Sequence, residues 1–401
     1  MKIGKLLKRF LGPTRYSMKI FIDNFGFGNK GDQLMLESVL EQINCHFPNA
    51  QVLLRKSSFL KNPTYCIEHK IYPLQTYKLR KWKKIFAPFL RIYGWLMNKL
   101  LMDAWFVVPS EVDVVLDCRG FHIGDTWYPE ESLFHEEKEF YELFSNKRLK
   151  VIYLPQAFGS FEYEWSQKMA HLAYGRAQKI YARDAISYGY MRDLFGEDPK
   201  IELVPDFTCI LHPETSPCVQ LPRGKYVIVI PNCNMIGMTS KKVGGTYIHF
   251  LSDIITHMQK RGENVYMLNH EASRDENICY QVNELLKEKV PILTKLSGRD
   301  IKSIVAGSKL VISARFHGVV SSLTTHTPTL CTSWSHKYEE LLKEHGCENS
   351  MIDVTDTKAA ISKIEDALMK PSKYTSKPGC EERIEESVKK MWNDVVEIIK
   401  N

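Results

Sequence analysis

None of the ten cysteines forms a C-x-x-C pair, which removes the zinc ribbon and the thioredoxin-like dithiol from consideration. Reduced thiols, mostly buried as small hydrophobes, are the expected state. The chain also contains no Asp-x-Asp, so one common carboxylate pair for metal-dependent sugar chemistry is missing and no metal is expected. No stretch reaches the roughly 20 apolar residues that a spanning helix needs, and the opening LLKRFLGP is too short and too charged for a signal peptide. A cytoplasmic location is the expectation.

What is present is an ordinary globular composition, 44% hydrophobic and 25% charged over 401 residues, too long for one typical core and enough for two. The net charge of +7 permits an anionic substrate or an anionic membrane surface; no nucleic-acid partner is expected. Two basic segments account for the membrane expectation. Residues 1–17 place Ile3, Leu6, Leu7 and Phe10 at helical spacing among Lys2, Lys5, Lys8 and Arg9, the pattern of a short amphipathic helix. Tyr77 to Val108 carries seven Lys or Arg against one Asp, with three Trp, which suits a headgroup interface as well as it suits a solvated helix pair. Peripheral attachment at the inner face of a membrane is the expectation these segments raise.

Short β-branched runs alternate with stretches of three-to-four-residue apolar periodicity, the rhythm of an α/β sheet. Strands are predicted at MKIFID, QVLLR, VDVVLD, KVIYLP, KIYAR and IELVP, and then at YVIVI, NVYML, PILTK, LVISAR and TPTLCT. The Pro-rich run Leu211–Gly224 reads as the linker. Residues 18–214, with an insertion at about 77–108, and residues 215–380 are the predicted domains, closed by an amphipathic helix over 381–401. Two doubly wound sheets facing each other would make a cleft, with ligands beyond the carboxyl ends of the strands.

NFGFGNKGD follows the first strand, and Gly26, Gly28 and Gly31 fit G-x-G-x-x-G. A nicotinamide site needs an acidic residue at the tip of the second strand. That tip reads VLLRKSS, where Arg55 and Lys56 leave open an NADP 2′-phosphate. Asp32 is expected to cap a helix running from Gln33 to about Cys45, and the loop is expected to shape the cleft wall. Beyond other strands stand Arg183 in KIYARD, Arg315 and His317 in LVISARFHG, and Lys337 in TPTLCTSWSHKY. A strand tip, a helix start and an arginine together make a place for phosphate or carboxylate.

G-N-K-G-D, Y-A-R-D, S-A-R-F-H-G and S-H-K-Y resemble the polysaccharide pyruvyltransferase family from about Met18 to Asp366, supported by LPQAFGSF (Gln156, Gly159), VPDF (Asp206) and NHEASRDEN (His270, Asp275). The resemblance implies two Rossmann-like domains in a GT-B-like arrangement, the second binding the donor phosphoenolpyruvate, with a glycan or lipid-linked oligosaccharide as acceptor and a pyruvate ketal as product. Cofactors are not implied. DCRGFHIGD replaces with Cys118 and Arg119 two glycines that many members have, and Trp127 and Tyr128 offer a sugar-stacking or a core role.

Phosphoenolpyruvate bears about three negative charges, so Arg183, Arg315 and Lys337 meet the count. His317, with an ordinary pKa near 6.5, is the expected general acid. Gly28, Asn29, Gly31, Asp32, Arg119, Gln156 and His270 are the expected cleft and acceptor residues. Two alternatives share the fold: a GT-B glycosyltransferase using a nucleotide sugar, and an inactive glycan- or membrane-binding relative.

Overall fold

The computed structural model describes residues 18–76, 107–125, 131–216, 219–220 and 222–401. The N-terminal basic helix, most of the basic insertion, and Trp127 with Tyr128 lie outside them. Among the described residues no helix is long and apolar enough to cross a membrane.

The chain divides into two units: residues 1–27, 39–204 and 391–401 form the first, and residues 28–38 with 205–390 form the second. The first is built on β1 (Met18–Asp23), β2 (Ala50–Arg55), β3 (Ile71–Leu74), β4 (Val114–Asp117), β5 (Phe121–Ile123), β6 (Lys150–Phe158), β7 (Lys179–Ala182) and β8 (Ile201–Leu203). Its strands are ordered β3-β2-β1-β4-β6-β7-β8, with β5 added to β6, and every pairing is parallel. The second is built on β9 (Val227–Ile230), β10 (Val265–Leu268), β11 (Ile292–Leu293), β12 (Leu310–Ser313) and β13 (Thr329–Cys331). Its order is β11-β10-β9-β12-β13, again all parallel. Both are doubly wound Rossmann-like sheets, reversing direction of growth beside the first strand of each. Strands such as VIVI and LVIS are buried along their whole length, which is why they read as continuous apolar runs and not as alternations.

All eleven predicted strands are present. The missing two have physical reasons. β3 contains Pro73, which lacks a backbone N–H and is tolerated because this strand lies at the sheet edge. β5 is only three residues long. The helix after β1 starts at Lys30, not Gln33; Asn29 precedes it and its Oδ1 accepts from the Gly31 N–H at 2.9 Å. Asp32 therefore sits in the first turn instead of capping, where its charge still favours the helix N-terminus.

The division between units falls at Val204, upstream of the predicted boundary at 214. Residues 205–216 are anchored to the second unit: Asp206 caps the turn Phe207–Ile210, Lys302 donates to the Thr208 carbonyl, and Ser216 bonds Asp300 through its N–H and hydroxyl. The last helix, Cys380–Lys400, buries Ile384, Val388, Met391 and Val395 as its periodicity demands. Its final turns group with the first sheet, where Tyr181 donates to Asp394 and Lys150 to the Ile399 carbonyl.

One buried titratable group in the second unit gives a pH signature. His345 is buried against Ser376, Nδ1 to Oγ 2.9 Å, and burial, with Arg383 nearby, pushes its imidazole down to about 4. Below pH 6.5 the unfolded chain takes up a proton that the folded chain refuses, so stability falls as pH drops through that window. The loss should reach about 2 kcal/mol between pH 7.5 and 5. Urea midpoints of the wild type and His345→Asn should converge across this range; parallel curves would refute the assignment.

Candidate functional site

In the second sheet the growth direction reverses between β9 and β12, whose final residues Ile230 and Ser313 are register partners. Ligands of such sheets bind outside the carboxyl ends at this point. The residues just beyond the strands are Asn232 and Cys233 after β9, His270 and Glu271 after β10, and Arg315 and His317 after β12. Asn232 ties two of these tips together by donating to the Ala314 carbonyl.

Arg315 ends the strand run in extended conformation, and Phe316–Leu323 is a fully buried helix. Its guanidinium donates from Nε and Nη2 to both oxygens of Asp275, at 2.7 and 2.5 Å, and from Nη1 it reaches Glu271. Burial pulls the guanidinium pKa down, but the charge of Asp275 overcomes it and holds Arg315 protonated beyond its usual value. Counted from the sequence as one of three cations for the donor, Arg315 is already ion-paired within the fold. Two carboxylates neutralise Arg315 because Glu271 and Asp275 follow the neighbouring strand tip. Cys233, Glu271 and Asp275 also bring three metal-type ligand atoms within 4.8 Å; Arg315 contacts all three, so the positive charge at that spot is already supplied.

His317 lies between two partners. Asp206 spends Oδ1 on the N–H and hydroxyl of Thr208 and presents Oδ2 to the His317 Nε2 at 3.4 Å. On the other side, a Cβ added to Gly31 would lie 2.2 Å from His317 Nδ1. Gly31 is thus needed because an imidazole occupies the space of its missing side chain. The loop is held there by its neighbours: the Lys30 N–H donates to the His270 carbonyl at 3.1 Å, and Asn29 bridges to Glu271. Gly28 has open space around its α-carbon and Asp32 is buried in the first helical turn.

His270 is 1% exposed, and neither ring nitrogen has a hydrogen-bond partner. Desolvation, then Arg315, His317 and Lys30, push its pKa well below 6.5, so the imidazole is neutral. Lys30 is itself held below the usual lysine value by burial. Lys337 opens the helix Lys337–Glu344, its ammonium 4.3 Å from the centre of the Trp334 ring and 5.5 Å from that of Phe316.

The first unit holds the remaining predicted residues. Arg183 follows β7, buried, its N–H on the Gln156 carbonyl, and the Gln156 side-chain amide is buried without a hydrogen-bond partner. Arg119 is not available to an acceptor in the way expected: it is buried and ion-paired to Asp117, Asp23 and Glu137, with Tyr141 against it. Arg55 is committed to Asp23, two bonds at 2.6 and 2.7 Å, so of the two cations named for a 2′-phosphate this one is already engaged. Asp23 and Asp117 end β1 and β4 as register partners, so an ion cluster fills the crevice in which a dinucleotide would lie in such a sheet.

Sequence reasoning named Asp206 and Asp275 only as motif matches and passed over Lys30, Glu271 and Cys233. The usable signal was position, since each sits within a few residues of a strand tip.

The family model described as polysaccharide pyruvyl transferase matches residues 29–336, a span that begins at the glycine loop and closes at the residue before Lys337. The chain belongs to the polysaccharide pyruvyl transferase family. It is accordingly a transferase acting on polysaccharide. The amylovoran biosynthesis protein AmsJ of Erwinia amylovora is 19% identical over 377 residues, covering 84% of this chain and 88% of that protein. Among solved structures, the UDP-GlcNAc 2-epimerase of Neisseria meningitidis has a TM-score of 0.58 at 12% identity, covering 95% of this chain and all of that one. Anabaena HepE, solved with UDP and glucose, has a TM-score of 0.55 at 14% identity, covering 96% of this chain and 100% of that one. These likenesses establish for this pyruvyl transferase family member the GT-B-like fold of two Rossmann-like domains.

Proposed function

We propose that the protein moves the pyruvyl group of phosphoenolpyruvate onto a pair of glycan hydroxyls as a ketal, during polysaccharide biosynthesis. The observation that supports this most is His317 set between the Asp206 carboxylate and Gly31 at the start of a helix, with Arg315 and Lys30 near enough to act on the same neighbour, His270. An anion is favoured at such a helix start and beside these cations.

In the reaction the methylene carbon gains a proton, a sugar oxygen bonds to C2, and the C2–O bond to phosphate breaks as the second hydroxyl closes the ring. Of the two hydroxyl protons, one is made good on the methyl group and the other leaves with phosphate. His317 is the group we assign to protonate the methylene, because its Nε2 lies 3.4 Å from the Asp206 carboxylate, which orients the ring for proton transfer. Lys337 and Lys30 carry charge for the donor's phosphate. For its carboxylate we assign Arg315 Nη1, displacing Glu271, which meets Arg315 through one oxygen, is also paired to Arg274 and is partly exposed; Asp275, fully buried and bidentate, stays.

Glu271→Gln removes that competitor and should lower the KM for phosphoenolpyruvate by about fivefold, equivalent to roughly 1 kcal/mol. A raised KM would show that Glu271 helps the donor. The reading as a whole is tested by incubating the protein with phosphoenolpyruvate and a panel of free and lipid-linked sugars, following phosphate release and the mass of a ketal product. Protection from thermal unfolding by a uridine diphosphate sugar, with none by phosphoenolpyruvate, would overturn it.

A further inference from the structure

We infer that His270 is a second catalytic imidazole, the general base that takes the proton from the attacking glycan hydroxyl. This rests on the phosphoenolpyruvate reading given above and extends it to the acceptor. A buried imidazole normally has at least one nitrogen satisfied, since a polar atom taken out of water without a partner is destabilising. His270 has neither, although its own carbonyl is bonded to the Lys30 N–H. Its backbone is therefore fixed by the glycine loop while its ring is left with its hydrogen-bonding capacity unspent, beside Arg315, His317 and Lys30. Such an orphan in a native structure calls for an explanation, and a ligand hydroxyl that donates to one ring nitrogen supplies a bond the fold leaves unmade.

The charge environment separates the two histidines. His317 has a carboxylate at its Nε2. Burial acts most on His270, followed by Arg315, the second imidazole and Lys30, all disfavouring its charged form, with its own backbone acting weakly the other way. One ring is placed to give a proton, the other to accept one. Arrival of the donor trianion counters the cations around His270 and raises its basicity, so the base strengthens only once phosphoenolpyruvate is in place. The step balances: the sugar O–H bond breaks and its proton goes to a His270 nitrogen; the O–C2 bond forms with the C2=C3 pair moving to C3; C3 takes the His317 proton. When the C2–O bond to phosphate breaks and the second hydroxyl closes the ring, that hydroxyl gives up its proton too; of this proton and the one on His270, one leaves with the phosphate and the other resets His317.

The test uses the full chain, phosphoenolpyruvate and whichever glycan the wild type accepts. His270→Ala should lower kcat by about 100-fold or more, keep the thermal shift produced by phosphoenolpyruvate, and regain part of its turnover when imidazole is added to fill the space left. Near-wild-type turnover, loss of the donor-induced shift, or no response to imidazole would each overturn the base assignment. If the alanine variant does not fold, His270→Gln supplies a side chain of similar length that hydrogen-bonds without accepting a proton. It should show the same loss of kcat with donor binding kept, and substantial turnover would overturn the inference. A wild type that neither forms a ketal nor is stabilised by phosphoenolpyruvate would instead refute the underlying reading.

Discussion

Gly31→Ala should reduce turnover by about 100-fold, because displacing a catalytic group by even an ångström costs on that order, while unfolding changes far less. The added methyl would lie 2.2 Å from Nδ1 and 2.9 Å from Cγ of His317, so the ring has to leave the position it holds between Gly31 and Asp206. Overpacking of this kind costs about 1–3 kcal/mol, against which alanine regains about 0.5–1 kcal/mol over glycine inside a helix. The measurement is a pair of kinetic and urea titrations, repeated in a His317→Ala background. There the methyl has room, and Gly31→Ala should become neutral or stabilising. A Gly31→Ala protein with unchanged kcat would mean that the imidazole position does not matter to the reaction.

Arg315→Ala should be severe in a different manner. Considered as a strand-end cation alone, Arg315 would be dispensable for stability. The structure gives the opposite expectation, because removing the guanidinium leaves the fully buried Asp275 carboxylate without its bidentate partner. Breaking a buried pair from one side costs about 3–5 kcal/mol, and a unit of this size then loses on the order of 10 °C in Tm. Transfer should be lost with it. Adding Asp275→Asn to Arg315→Ala should restore part of the stability and none of the activity, and Arg315→Lys should restore little of either, since one ammonium cannot fork across both oxygens. Calorimetry of the single and double variants decides this; additive losses would show that the two side chains are not coupled.

The strands were legible because parallel sheets buried on both faces leave uninterrupted apolar runs such as VIVI and LVIS. The candidate site was legible to the extent that position at a strand tip implies it: Arg315 and His317 were found in that way, whereas His270 entered only as a motif match. Their partners were not, since nothing local in NHEASRDEN announces that Glu271 and Asp275 will meet a guanidinium from β12. Arg119 shows the same limit from the other side. As a substitution in a glycine-rich turn it reads as a new acceptor contact, and only the fold reveals three carboxylates enclosing it. Pairing across the sheet is a property of topology, and local patterning carries no record of it.

The grouping of residues 28–38 with 205–390 has a bearing on how the protein is made and how it can be cut. During synthesis the segment that seats His317 emerges from the ribosome near the start, and the imidazole it must meet comes off close to 300 residues later, a delay that places this contact among the last to form. A fragment starting at residue 205 would carry Arg315, His317 and Lys337 and still be inert, because the glycine that cradles the ring would be missing. Supplying residues 1–204 in trans, or rejoining the chain as a circular permutant opened elsewhere, should bring the activity back.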